Sequence, residues 1–353
     1  MTLGRKGRRR APDVDLSVSL GALQLPNPII AASGTFGHGA ELAALCDPGA
    51  IGAVTTKSVA VFASEGNPPL RVAEAPGGGM INSVGLPGPG VDAWIAHDLP
   101  ALEARGARVI ASIWGRTVAD YEAAARALKN VAHRVIAIEV NLSCPNVEAR
   151  AQVFAHAPET TRDATNAVVD ALGGAAPVFA KLSPNVTDLV AIAGAALDAG
   201  ADGLTLVNTV MGLVIDAQAR APRLGAGGGG VSGPPIHPVA LRAVWEVSRA
   251  YPGVPIIGTG GVSTGEDAVE MLLAGASAVG VGTATFLDPR ATLRIVEELG
   301  AWCAQNDVAR VRDLIAGLGA DGLGENRLGE NRLGENRLAG DRLTEDRSGG
   351  QIQ

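Results

Sequence analysis

The sequence is short of aromatics, cysteines, long apolar runs and positive charge, and each shortage removes a class of protein. Phe, Trp and Tyr make up 3% of its 353 residues although hydrophobic residues reach 47%. A core must therefore be packed from Ala, Val, Leu and Ile, the composition of parallel strands covered by helices. The three cysteines, Cys46, Cys144 and Cys303, are odd in number and far apart. They supply neither a disulfide framework nor a zinc pattern, and fit free thiols in a reducing compartment. His38, His97, His133, His156 and His237 are scattered without ligand spacing, so no metal is expected and each reads as a surface or packing residue. No apolar run approaches the roughly 18 residues of a membrane span, and no hydrophobic segment follows the basic N-terminus as a signal peptide requires. A soluble, cytoplasmic protein away from membranes is expected. A formal net charge of −7 excludes a general nucleic-acid binder, which needs a basic surface to displace counterions.

What is present is alternation. Apolar runs at Ile29 to Ala32, Ala53 to Lys57, Arg108 to Ile113, Val135 to Asn141, Val178 to Leu182, Gly203 to Asn208, Pro255 to Gly258 and Ala278 to Gly282 read as strands. Ala-rich segments between them read as helices, among them Val118 to Val131, Thr160 to Leu172, Thr187 to Ala199, Pro238 to Arg249 and Gly265 to Ala274. Eight such repeats predict an α/β fold, a closed (β/α)8 TIM barrel spanning 14–317 as one domain. A doubly wound sheet has the same alternation, but its first strand should lead into a dinucleotide turn with an acidic residue on a following strand. Ser33 to Gly39 lacks that partner. Residues 1–13, with the basic cluster Arg5 to Arg10, read as a solvated arm. From Leu323 the chain repeats Leu-Gly-Glu-Asn-Arg, a period that matches neither a helix nor a strand face, so 318–353 is expected to be a disordered tail. The run Gly225 to Gly230 is expected to be a mobile loop near the open face of the barrel.

In such a barrel the C-terminal strand ends converge on one site. They carry Ser33 and Gly34, Lys57 and Ser58, Asn141 with Cys144 and Asn146, Lys181, Asn208 and Thr209, Gly260 and Gly261, and Gly282 and Thr283. The loop beyond the second strand adds Asn82 to Leu86. Four asparagines form a neutral site rich in donors and acceptors, suited to a planar ligand with amide and imide groups. The two lysines add positive charge suited to an anionic flavin or a carboxylate, and the glycines after the last two strands suit a phosphate. Cys144, in Asn141-Leu142-Ser143-Cys144-Pro145-Asn146, is either a reactive thiol in that pocket or a buried cysteine before a turn.

The segments Ala32–Gly37, Thr56–Ser58, Gly66–Pro69, Asn82–Leu86, Asn141–Val147, Lys181–Asn185, Gly203–Asn208 and Gly275–Thr283 together resemble dihydroorotate dehydrogenase, over about Val14 to Ala316 and in the family's order. The cysteine resembles that of the soluble class 1 enzymes, where the membrane-associated class 2 has serine. The motifs around Asn146 and Lys181 look most like class 1B. The resemblance implies oxidation of dihydroorotate to orotate in pyrimidine biosynthesis with one FMN per chain. It also implies a homodimer within a heterotetramer, whose FAD and iron–sulfur subunit passes electrons to NAD. By the same resemblance Cys144 is the general base. Asn82, Asn141, Asn146 and Asn208 hold the substrate, and Ser83, Val84, Gly85, Leu86 and Thr209 shape its pocket. Lys57 touches flavin and substrate, and Lys181 lies beside the flavin's pyrimidine edge. Ser33, Ser58, Asn141, Val207, Gly233, Gly260, Gly261, Gly282 and Thr283 complete the FMN site. Ser112, which stands where the family usually has an asparagine near FMN, is expected as a further FMN contact, and His237 stands where a lysine is common.

Three alternatives share parts of this pattern. They are a class 1A-like, fumarate-linked dihydroorotate dehydrogenase, a dihydropyrimidine dehydrogenase-like flavin enzyme, and a flavin-free barrel that binds phosphate.

Overall fold

The computed structural model describes residues 14–143, 145–146 and 152–318. The basic arm, Cys144 and the repeat tail lie outside the described residues.

Eight short strands form the centre: β1 Ile29–Ala31, β2 Ala53–Thr55, β3 Val109–Ile113, β4 Ala137–Asn141, β5 Val178–Lys181, β6 Gly203–Leu206, β7 Ile256–Thr259 and β8 Ala278–Val281. Every residue in them is buried. That is why each reads as a nearly unbroken apolar run instead of an alternating one. They pair in parallel in chain order, and β8 closes on β1 with Val279 opposite Ile29. This is the expected (β/α)8 barrel, with each strand within two residues of its predicted limits.

Helices Val118–Lys129, Pro158–Leu172, Leu189–Asp198, His237–Ala250, Gly265–Leu273 and Ala291–Gln305 cover the outside. Their starts follow local chemistry. Thr117 with Asp120 and Thr264 with Asp267 form capping boxes, and Asp188 accepts from the amide of Ala191. Each such cap stabilises its helix by about 1 kcal/mol. Among the few aromatics, one pair anchors the end of β4. The Tyr121 hydroxyl donates to the Asn141 carbonyl at 2.7 Å, and its ring meets Phe154 edge to face at 5.2 Å.

A four-stranded antiparallel sheet lies beyond the strand ends, in the order Val210–Gly212, Gly229–Ser232, Gly79–Asn82, Val72–Ala75. It corrects one expectation: the glycine run 225–230 is not a loop throughout, because Gly229 and Gly230 belong to an inner strand of this sheet. The glycines are there for close approach. A Cβ on Gly229 would sit 2.5 Å from the Asn82 carbonyl oxygen, and one on Gly230 only 2.0 Å from Thr209 Oγ1. The sheet joins the excursions that follow β2 and β6 and so brings Asn82 and Thr209 together.

Two histidines give the fold a defined acid response. His156 Nε2 is buried with no partner among the described residues, and burial lowers the imidazole pKa below its ordinary 6.5. Burial lowers that of His38 in the same direction. The unfolded chain therefore takes up protons near pH 6.5 that the folded chain refuses, so the stability they contribute is full above that pH and is lost as pH falls below it. The thermal midpoint is expected to drop between about pH 7.5 and 5.5, and His156→Gln is expected to flatten that drop. A midpoint that rises on acidification over this range contradicts the assignment.

Candidate active site

The strand ends open into a cavity of about 510 Å³, a size typical of small-molecule and cofactor sites. Its floor is a hydrogen-bonded set of polar side chains from separate strands. Ser33, just past β1, donates from Oγ to the Thr56 carbonyl at 2.8 Å and lies 3.3 Å from Ser58 Oγ. Asn141, the last residue of β4, donates from Nδ2 to Ser58 Oγ at 3.1 Å. Its Oδ1 accepts from the amide of Ser143 at 3.2 Å and from Asn208 Nδ2 at 3.4 Å. Asn208 in turn accepts from the Thr209 amide at 2.8 Å. Register explains the convergence, because Asn141 lies directly opposite Lys181 across the β4–β5 pair.

Beneath this layer, Glu139 is 1% exposed inside the barrel. It accepts from Ser112 Oγ and Thr205 Oγ1, both at 3.1 Å, and faces Lys181 Nζ at 3.8 Å. Lys57 packs on the other side, with Nζ 3.3 Å from where a Gly34 Cβ would lie. Lys57 and Lys181 both line the cavity, which suits an anionic ligand.

One wall consists of turns that follow β7 and β8. Gly260 and Gly261 have φ of +143° and +75°, and His237 Nδ1 is bonded to the Gly260 carbonyl at 2.8 Å. His237 therefore packs as a support for this turn, with Nε2 3.0 Å from Glu270. Gly233, Gly282 and Thr283 line the same wall. The roof is the antiparallel sheet with the loop Asn82 to Leu86. Asn82 Nδ2 donates to the Gly230 carbonyl at 3.3 Å, and Asn67 Nδ2 holds the Ser83 carbonyl at 3.0 Å. Gly85 and Leu86 both adopt positive φ, +77° and +56°, which turns the loop back over the cavity.

Most of the site residues expected from the sequence are thus brought together. Ser33, Lys57, Ser58, Asn82, Ser83, Val84, Gly85, Leu86, Asn141, Lys181, Val207, Asn208, Thr209, Gly233, Gly260, Gly261, Gly282 and Thr283 all line one cavity. Ser112 does not line it. It is completely buried and reaches the floor through Ser58, 2.9 Å away. Cys144 and the side chain of Asn146 lie outside the described residues. Glu139 and Phe286 were not expected. A single charged residue inside the apolar run Val135 to Val140 was the signal for Glu139. Phe286, 57% exposed at the rim, carries no sequence signal.

The cavity also fits a phosphate-bearing planar cofactor. Ser83 Oγ, Ser143 Oγ and Thr259 Oγ1 line it, are buried, and have no partner among the described residues. Buried hydroxyls left unpaired are rare unless something else satisfies them. The glycine turns free backbone amides for a phosphate, and the lysines and amides suit a polar ring.

A closed parallel barrel whose C-terminal mouth combines glycine turns, an amide-rich floor and two lysines is the architecture of a small-molecule-binding (β/α)8 enzyme. The family model described as dihydroorotate dehydrogenase matches residues 15–302, and the chain belongs to that family of oxidoreductases. Similar proteins include the "Dihydroorotate dehydrogenase B (NAD(+)), catalytic subunit" of Geotalea uraniireducens (strain Rf4), 45% identical over 304 residues, 86% of this chain and 98% of the relative. Those of the same name from Geobacter sulfurreducens (strain ATCC 51573 / DSM 12127 / PCA) and Alkaliphilus metalliredigens (strain QYMF) are 44% and 45% identical. They cover 86% and 85% of this chain and 98% of each relative. The match is thus to the NAD-linked class 1B branch that the motifs resemble.

Proposed function

We propose that this chain is the catalytic subunit of a class 1B dihydroorotate dehydrogenase, oxidising (S)-dihydroorotate to orotate in pyrimidine biosynthesis. The observation that carries this reading is the meeting in one cavity of Asn82 from the roof, Asn141 and Asn208 from the floor, and Lys57 and Lys181 with the Gly260–Gly261 turn. The relatives' names support the substrate and the NAD linkage.

In this reading Gly233, Gly260, Gly261, Gly282 and Thr283 hold the phosphate of FMN, and Ser33, Ser58, Val207 and Lys181 contact the rest of it. Bound FMN supplies the acceptor for the hydride that leaves carbon 6. Asn82, Asn141, Asn146 and Asn208 hold the ring and carboxylate of the substrate, and Lys57 places a positive charge beside it. The loop Asn82 to Leu86 covers the substrate and excludes water. Cys144 takes the proton from carbon 5, so that loss of one proton and one hydride forms the ring double bond. A free thiol has a pKa near 8.5, so proton removal gains rate as pH rises toward that value.

A second subunit carrying FAD and an iron–sulfur cluster would take the electrons on to NAD, in a heterotetramer built on a homodimer of this chain. The protein works in the cytoplasm. In keeping with this, no helix among the described residues is long and apolar enough to cross a membrane. The test is acceptor choice. The isolated chain is expected to oxidise dihydroorotate with an artificial dye but to reduce NAD poorly until the partner is added. Efficient NAD reduction by the chain alone contradicts the class 1B reading, and efficient fumarate reduction moves it to class 1A.

A further inference from the structure

A chain of hydrogen bonds runs from the buried carboxylate of Glu139 to the cavity floor, and its direction is determined by its first member. Facing the Lys181 ammonium, Glu139 is a carboxylate, and a carboxylate only accepts. Ser112 Oγ must therefore donate to it, at 3.1 Å. A hydroxyl has one proton, so Ser112 has to accept from Ser58, at 2.9 Å. Ser58 has then used its own proton and can only accept from Asn141, whose Nδ2 lies 3.1 Å away. That choice turns Asn141 Oδ1 toward Asn208 Nδ2 and the Ser143 amide. The Thr209 amide on Asn208 Oδ1 fixes the second carboxamide in the matching sense.

We propose that Glu139 is a positioning residue for the reaction. As the terminal acceptor of the Ser112–Ser58 relay, it holds the nitrogen end of the Asn141 carboxamide while the Ser143 amide holds the oxygen end, and the two together keep Asn141 in the orientation offered to the substrate. This rests on the dihydroorotate dehydrogenase reading of the cavity. Glu139 does not line the cavity, so it acts only through these neighbours. A carboxamide held at both ends presents a donor and an acceptor to fixed places on an imide ring, whereas one held only at its oxygen swings away from them and loses affinity.

Orotate binding to the FMN-loaded protein, read from the shift of the flavin spectrum, tests the relay without turnover. Ser112→Ala cuts it while leaving the Glu139–Lys181 pair in place, and is expected to weaken orotate about tenfold, the size of one hydrogen bond. Glu139→Met removes the terminal acceptor and is expected to weaken orotate at least as much. The double variant is expected to be no weaker than Glu139→Met, because both changes break the same series. Glu139→Gln can keep its oxygen toward Ser112 and turn its nitrogen to Thr205, so it is expected to bind orotate within about twofold of the wild type. This rescue separates an acceptor role from bulk packing, and it decides the matter if Glu139→Met does not fold. Unchanged orotate affinity in Ser112→Ala, additive losses in the double variant, or a Glu139→Gln loss as large as that of Glu139→Met overturns the proposal. If the wild type shows no orotate shift at all, the functional reading fails separately. The relay is then judged by the Asn141 side-chain amide signal in ¹⁵N-asparagine-labelled protein, which must move in Ser112→Ala for the proposal to stand.

Discussion

Gly260→Ala is expected to purify as a folded barrel that has lost its FMN. Gly260 follows β7 with φ of +143°, a backbone conformation essentially confined to glycine. A Cβ there would lie 2.5 Å from the Cβ of Ala240, on the helix that packs behind the turn. Relief requires either a backbone rotation, which breaks the His237 bond to the Gly260 carbonyl, or a retreat of the helix. Both move the amides proposed to take the phosphate, while the eight paired strands are untouched. The strain is about 1–3 kcal/mol before any lost phosphate contact, so FMN affinity is expected to fall by about 100-fold or more. Reconstitution of stripped protein, followed by flavin fluorescence, checks this. An affinity within threefold of the wild type would show that the phosphate lies elsewhere.

The second large effect is chemical. Cys144→Ala is expected to keep FMN, since the thiol is assigned to the substrate side and to no phosphate contact. Flavin reduction by dihydroorotate should nonetheless slow by roughly 10²–10⁴-fold, the usual contribution of a positioned base. Cys144→Ser should also be slow but recover toward high pH, because a hydroxyl gives up its proton far less readily than a thiol. Orotate binding should survive both changes, since the ring contacts are assigned to the asparagines. Near-normal reduction in the alanine variant means that another group takes the proton.

The barrel could be read from the chain because its signals are local. Each strand is buried on both sides and so appears as an apolar run, and Thr117, Asp188 and Thr264 mark helix starts within a few residues. The roof sheet could not be read that way. Its strand Gly229–Ser232 has no apolar alternation, and it exists because Asn82 and Thr209, far apart in sequence, press on glycines that accept them without a Cβ. The same reason explains Ser112 and Glu139. Ser112 stands at the expected strand end but faces inward below Ser58. Glu139 looks like one stray charge until β3 and β6 bring Ser112 and Thr205 to its two oxygens.

The most direct test of the whole account is anaerobic mixing of the FMN-loaded chain with dihydroorotate, without partner or dye. The flavin absorbance is expected to bleach, with one orotate formed per flavin reduced. A flavin that dithionite reduces but dihydroorotate leaves oxidised, or a protein that takes up no flavin, would contradict it.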